Sequence, residues 1–273
     1  MIAIDDGSSD GTREWLQEKA KDARLIFNEN NLGTYASLNR ALQEANGDFV
    51  AILNDDDTWA PTKLEAQLQL FEDHPDVALV HTDGSFIDAN GKIVEGSPLG
   101  FEFPRTETGN ALLALMYANK IIASAALVRK KCFEELGRFN ESYFGSGDWE
   151  MWMRIAERWD VGYIDEELTF YRVHGENASH KLERIWQDDE MLRLWIRSKY
   201  SDYEKLDLDP EDFKQARAHN EACLGTVMML NGKSAESRAA YRESLRLDPT
   251  RFKSRLRLLA TYMLPRPLWK KVL

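Results

Sequence analysis

Phe49-Val-Ala-Ile-Leu-Asn-Asp-Asp-Asp57 decides how this chain is read. An apolar run, the signature of a buried strand, ends in three consecutive carboxylates. Like charges set side by side are costly unless a cation sits among them. Hard oxygen ligands suit Mg²⁺ or Mn²⁺, which also bridge phosphates. In open α/β sheets, ligands bind at the carboxyl ends of the strands. The stretch therefore points to a metal–nucleotide site. Its alternative role is an acidic turn that caps the helix beginning near Pro61.

Outward from this stretch the chain alternates between strand and helix. On the N-terminal side, Met1 to Ile4 reads as a short strand running into the turn-rich loop Asp5-Asp-Gly-Ser-Ser-Asp-Gly-Thr12. A helix over Arg13 to Lys21, a strand over Ala23 to Phe27 and a helix over Thr34 to Ala45 follow, the last closed by Gly47. On the C-terminal side come a helix over Lys63 to Glu72 and a strand over Val77 to Thr82. This alternation predicts an α/β fold with a mixed, mostly parallel sheet flanked by helices. Ser85 to Asn110 is loop-rich, with a hairpin at Asn90-Gly91. Helices are expected at Ala111 to Tyr117 and Lys130 to Leu136. A further one is expected at Ser146 to Ala156, with Asp148 at its N-terminus. Strand patterns cover Val161 to Ile164 and Leu168 to Val173.

From Lys181 onward the pattern is helical, and the expected division is a domain over 1–180 and an α-helical C-terminal region over 181–273. Within that region, 213–249 has the spacing of a helical hairpin. Gly225, Gly232, Ala239, Tyr241 and Asp248-Pro249 stand where a tetratricopeptide-like unit places its packing residues. Residues 251–273 form a basic tail: seven Lys or Arg, no Asp or Glu, and Leu, Phe, Tyr and Trp interleaved. Such a segment suits an anionic membrane surface or a solvated helix packed on an acidic body.

The net charge of −11 argues against nucleic-acid binding, which needs a basic face. Apolar residues at 43% and charged residues at 30% are a globular balance. No apolar run is long enough to span a bilayer and no secretory leader is visible, so a cytoplasmic protein, peripheral at the inner face of the membrane, is expected. Cys132 and Cys223 have no metal-binding spacing and read as reduced thiols.

Four segments must be explained together: Asp5 to Thr12, Asn31-Leu-Gly33 with Asn39, Leu53-Asn-Asp-Asp-Asp57 and Gly147-Asp-Trp-Glu150. With Leu136-Gly-Arg-Phe-Asn-Glu141 and Ile164 to His174, their order and spacing resemble the family 2 glycosyltransferases, inverting enzymes of the GT-A fold (a Rossmann-like nucleotide-diphospho-sugar transferase). The resemblance covers Met1 to Ser179. It implies metal-assisted transfer of a sugar from a nucleotide-sugar donor, a UDP-sugar by preference, to a saccharide or lipid-linked saccharide in polysaccharide biosynthesis. The cofactor implied is Mn²⁺ or Mg²⁺. By resemblance Asp56 is the metal carboxylate and His174 completes the metal shell. Asp148 is the general base that takes the acceptor proton, or alternatively an N-cap carboxylate. Asp5, Asp6, Gly33, Asn39, Asn54 and Asp55 fall at nucleotide-sugar positions. Asp5 and Asp6 alternatively organise the Gly7 turn, and Asn39 alternatively serves as a structural hydrogen-bonder. His81, Asp83 and Trp149 fall where relatives line the acceptor and sugar pocket, with Trp149 alternatively a core aromatic.

Three departures accompany the resemblance. Asn54 stands where relatives usually carry Asp. Gly147 replaces a residue that is often acidic. The chain is also expected to lack a first strand and helix that relatives place before Ile2. These departures leave a second reading, a truncated, non-catalytic remnant that acts as an interaction protein.

Overall fold

The computed structural model describes residues 1–96, 98–175, 177, 180–201, 206 and 208–263. Two compact units emerge: Met1–Ala111 with Lys120–Glu176, and Leu112–Asn119 with Asn177–Leu273.

The first unit begins with β1 (Ile2–Asp5), α1 (Thr12–Lys19), β2 (Arg24–Phe27) and α2 (Thr34–Glu44). β1 and β2 pair in parallel as a sheet of their own. A five-stranded sheet follows from β3 (Phe49–Ala51), β4 (Thr58–Trp59), β5 (Val77–Ile87), β6 (Leu127–Arg129) and β7 (Asp160–Arg172), in the order β3-β6-β5-β7-β4. Within it only β5 and β7 run parallel as neighbours; the other three ladders are antiparallel. The sheet is mixed as expected, with a larger antiparallel share than the βα alternation suggested. Leu127–Arg129, too short to give a pattern of its own, inserts antiparallel between β3 and β5.

β5 is apolar because it is central: Ala78, Leu79 and Val80 are fully buried. α3 (Lys63–Asp73) lies on this sheet through Phe71, beside Val77, Val80 and Leu127. The two strand patterns expected at 161–164 and 168–173 form one strand. Its ladder with β5 shifts register between Thr82 and Asp83, where Asp165 and Glu166 are taken up as a bulge. The Asn90-Gly91 turn forms, with Gly91 at φ 81° and Val94 N–H bonded to Phe86 O at 2.8 Å. α5 (Lys131–Leu136) and α6 (Gly147–Ala156) complete the unit.

The second unit is helical: α4 (Leu112–Tyr117), α7 (Leu182–Lys199), α8 (Pro210–Leu230), α9 (Ser234–Leu247) and α10 (Phe252–Met263). Asp209 caps α8, accepting from Glu211 and Asp212 N–H ahead of a first-turn proline. α8 and α9 close tightly because Gly225 lies under the Tyr241 ring. A Cβ there would stand 2.9 Å from Tyr241 Cδ1. Ser237 Oγ–H also donates to Gly225 O at 2.6 Å. Both cysteines are free. Among the described residues, no helix is long and apolar enough to cross a membrane. The last ten residues of the basic tail, 264–273, lie outside the described residues.

Candidate active site

The acidic run beyond β3 separates its three carboxylates. Asp57 N–H bonds back to Asn54 O at 3.2 Å, forming a turn that leaves Asp55 exposed and buries Asp57. Asp57 accepts from Ser124 Oγ–H at 2.6 Å, Arg172 N–H at 3.0 Å and Asn54 Nδ2 at 3.4 Å. Burial raises its pKa to about 6, against the opposing pull of the Ser124 and Arg172 hydrogen bonds. Asp57 is thus a structural carboxylate that ties the turn to β7.

Asp56 is half-buried, between the exposed Asp55 and the buried Asp57. Its Oδ2 lies 3.0 Å from His174 Nε2, and its main-chain oxygen accepts Arg172 Nε–H at 2.7 Å. Arg172, at the end of β7, therefore holds the Asp56–Asp57 turn by its main chain and its guanidinium together. His174 follows two residues later. Both Asp56 and His174 remain about one-third open to solvent. Two ligands on adjacent octahedral positions, each about 2.1 Å from a small cation, stand about 3 Å apart. The pair fits such an ion, and its oxygen–imidazole donor set suits Mn²⁺. Among the described residues no group of three or more His, Cys, Asp or Glu gathers as a complete cation cage.

Asp148 sits in the first turn of α6, 9% exposed. The helix N-terminus favours its anion. Its Oδ1 accepts from Trp149 N–H at 2.7 Å and from Tyr35 O–H at 3.3 Å. Tyr35 is buried and packs its ring on Phe139. Burial, then the nearby Asp148 charge, pushes its phenol well above the usual range, so it stays a donor. Gly147 makes this contact possible: a Cβ there would stand 2.8 Å from Tyr35 Cε2. The departure from an acidic residue at 147 is matched by the Tyr35 ring that fills its place.

At the end of β1, Asp5 and Asp6 divide their work. Asp5 is buried and accepts from Ser8 N–H and, at 3.0 Å, from Arg13 Nε–H. Burial works to raise its pKa, but the Ser8 and Arg13 contacts outweigh it and hold it low. This is the turn-organising role. Asp6 accepts from Leu32 N–H and Gly33 N–H at 2.8 Å each, and from Asn28 Nδ2 at 2.7 Å. Burial again opposes, and these donors again prevail, so its carboxyl is held low. Asp6 thereby fixes the Asn31-Leu32-Gly33 loop ahead of α2. Gly7 lets the two loops meet: a Cβ at its φ of 79° would stand 2.7 Å from Asn30 C.

Some expected site residues are structural. Asn39 is buried and spends its amide on Phe139 N–H, Phe139 O and Glu141, at 3.0, 2.9 and 2.8 Å. These bonds clamp the 139–141 loop to α2, the geometry of a structural hydrogen-bonder. Trp149 is 7% exposed and packs in the core. His81 is 1% exposed, bonded to Thr106 Oγ1 at 2.8 Å and packed at a tilt against the Tyr163 ring. Burial, with help from Lys63, lowers its pKa to about 3 and keeps it neutral. Asp83 pairs with Arg105 at 2.5 Å. Asn54 turns inward, toward Asp57 and Ser124. Tyr35, Ser124 and Asn28 carry the site without having announced themselves; only Arg172 lay inside a stretch already singled out.

Comparison with known proteins gives the family and the fold. A sequence model of the family described as glycosyl transferase family 2 matches residues 1–137. The chain is a member of glycosyl transferase family 2. Among relatives, an uncharacterised glycosyltransferase of Methanocaldococcus jannaschii is 32% identical over 190 residues, covering 68% of this chain and 63% of the relative. The chain thus spans under two thirds of that relative, and only 25% of another from Rickettsia bellii. Among solved structures, S. aureus TarS 1–349 in complex with UDP-GlcNAc aligns over 99% of this chain and 82% of that one. Its TM-score is 0.64 at 15% identity. The Pyrobaculum calidifontis mannosyltransferase PcManGT in complex with GDP-Man and Mn²⁺ aligns over 99% and 78%, with a TM-score of 0.56 at 19% identity. At these identities the likeness shows the fold, and the family 2 fold here is GT-A.

Proposed function

We propose that the chain is an inverting glycosyltransferase that moves a sugar from a nucleotide-sugar donor to a saccharide or lipid-linked saccharide hydroxyl. The observation that carries this is the Asp56–His174 pair at 3.0 Å, locked by Arg172 at the carboxyl end of β3. Asp56 and His174 would hold Mn²⁺ or Mg²⁺, and the bound ion would neutralise charge on the departing nucleoside diphosphate. The Asp6-held loop at 28–33 and the Asp5 turn shape the nucleotide end of the site; UDP is the first nucleotide to test. Asp148 accepts the proton of the attacking acceptor hydroxyl. The hydroxyl oxygen forms the new bond to the anomeric carbon as the bond to the diphosphate breaks, which inverts that carbon. Tyr35 donates to Asp148 and fixes its orientation.

Transfer from a UDP-sugar to polysaccharide fragments tests the reading, with wild type and Asp148→Asn compared for turnover and for donor binding. Loss of turnover by a factor of about 10²–10⁴ with donor binding kept supports it, in line with a positioned base. Unchanged transfer by Asp148→Asn removes Asp148 as base.

A further inference from the structure

α10 is built inside out. A helix on a domain surface normally turns its large apolar side chains inward and its polar ones outward. In α10 the two buried positions on the face packed on α9 are small and polar, with the half-buried Leu258 between them. Ser254 and Thr261 are 2% and 4% exposed, and they bond to Ser244 and to the Arg238 guanidinium. On the opposite face stand Phe252, Leu256, Leu259 and Met263, spaced by four, three and four residues so that they fall in one stripe. They are 63, 49, 53 and 78% exposed, with Tyr262 beside them at 55%. Lys253 and Arg255, both exposed, border this stripe.

Along the sequence the charge of this segment is one-sided. Residues 251–273 hold seven Lys or Arg and no acid, whereas the rest of the chain holds 28 Lys or Arg against 46 Asp or Glu. By sequence, the ten residues after Met263 add Arg266, Lys270, Lys271 and Trp269. Tryptophan favours the level of the lipid headgroups. An anionic lipid surface supplies both halves of what the face asks for, an apolar boundary and a layer of phosphates.

We propose that α10 is a membrane-docking helix. Phe252, Leu256, Leu259 and Met263 enter the headgroup–acyl boundary of an anionic bilayer, and Lys253 and Arg255 lie against lipid phosphates. The docking does not depend on the transfer activity proposed above.

Co-sedimentation of the full 273-residue chain with vesicles tests this, comparing phosphatidylglycerol-containing vesicles with pure phosphatidylcholine at low and high salt. Wild type binds the anionic vesicles more tightly, and salt weakens the binding. Each cation at an anionic surface multiplies partitioning roughly fivefold, so Lys253→Glu/Arg255→Glu lowers it at least roughly 25-fold. Leu256→Glu/Leu259→Glu abolishes binding even at low salt. All four positions are exposed, so melting temperature and circular dichroism stay those of wild type. No preference for anionic over neutral vesicles overturns the proposal. So does binding that survives Leu256→Glu/Leu259→Glu in a folded protein. Self-association that this double variant removes, in a chain that ignores vesicles, assigns the stripe to a second copy and also overturns it.

Discussion

Substituting Gly147 by alanine probes the least ordinary contact in the site. The added Cβ would lie 2.8 to 2.9 Å from three atoms of the Tyr35 ring, closer than carbon atoms approach in folded proteins. The ring cannot simply move: Tyr35 is 4% exposed and rests on Phe139, with centroids 5.7 Å apart. Forcing a methyl into such a fit costs about 1–3 kcal/mol. For a unit of this size each kcal/mol lowers the melting temperature by about 2–4 °C. The displaced ring also carries its hydroxyl away from Asp148, so Gly147→Ala should slow turnover more than it weakens donor binding. A double-mutant cycle with Tyr35→Leu isolates the contact. The smaller side chain makes room for the methyl, so the two substitutions together should destabilise by at least about 1 kcal/mol less than their sum. Additivity within about 0.5 kcal/mol would refute the reasoning, since residues not in contact add to that accuracy.

Three further outcomes follow from named contacts. Asn39→Ala should cost about 1–3 kcal/mol, because it leaves Phe139 and Glu141 groups unpaired, while nucleotide affinity stays that of wild type; a selective loss of affinity would return Asn39 to the donor site. Lys63 is buried on the Trp59 ring with Gln67 as its hydrogen-bond partner, and burial lowers its pKa from 10.5 to about 7. The unfolded chain then binds the extra proton between those values, so wild type should gain stability over Lys63→Met as pH rises from about 7 toward 10, by up to about 1.4 kcal/mol per pH unit; a pH-independent difference would show that the amine is not held neutral. Arg172→Lys keeps the charge but loses the planar guanidinium that reaches Asp56 O and Asp88 O together, and it should weaken metal-dependent nucleotide binding at least about tenfold with little change in fold; unchanged binding would mean the Asp56 turn holds itself.

What the sequence disclosed was local. A strand that stops in Asn54-Asp-Asp-Asp57, a carboxylate at the mouth of a helix and a Gly225–Tyr241 hairpin each lie within a few dozen residues of chain, where periodicity and turn chemistry speak directly. What it hid was long-range. Tyr35 meets Asp148 across 113 residues, Asn39 meets Phe139 across 100, and Arg172 meets Asp57 across 115. No spacing reveals such pairs, so position along the chain does not show that Asn39 and Trp149 are buried. The Asp57 carboxylate was legible as a companion of Asp56, but its task of receiving Ser124 and the β7 main chain was not. β6 escaped for another reason: three residues are too few for a period of two to stand out against neighbouring helices.

The central claim is that Asp56 and His174 hold a divalent cation for a nucleoside diphosphate, and thermal melting of the full chain with UDP, GDP or dTDP, with and without Mn²⁺, tests it most directly. Ligand at a hundred times its dissociation constant stabilises by about 2.7 kcal/mol, roughly 5–10 °C here. The account predicts a shift of that size with one nucleotide, only when Mn²⁺ is present, and its loss in Asp56→Asn. An equal shift without the metal, or one that survives Asp56→Asn in a folded chain, would contradict it.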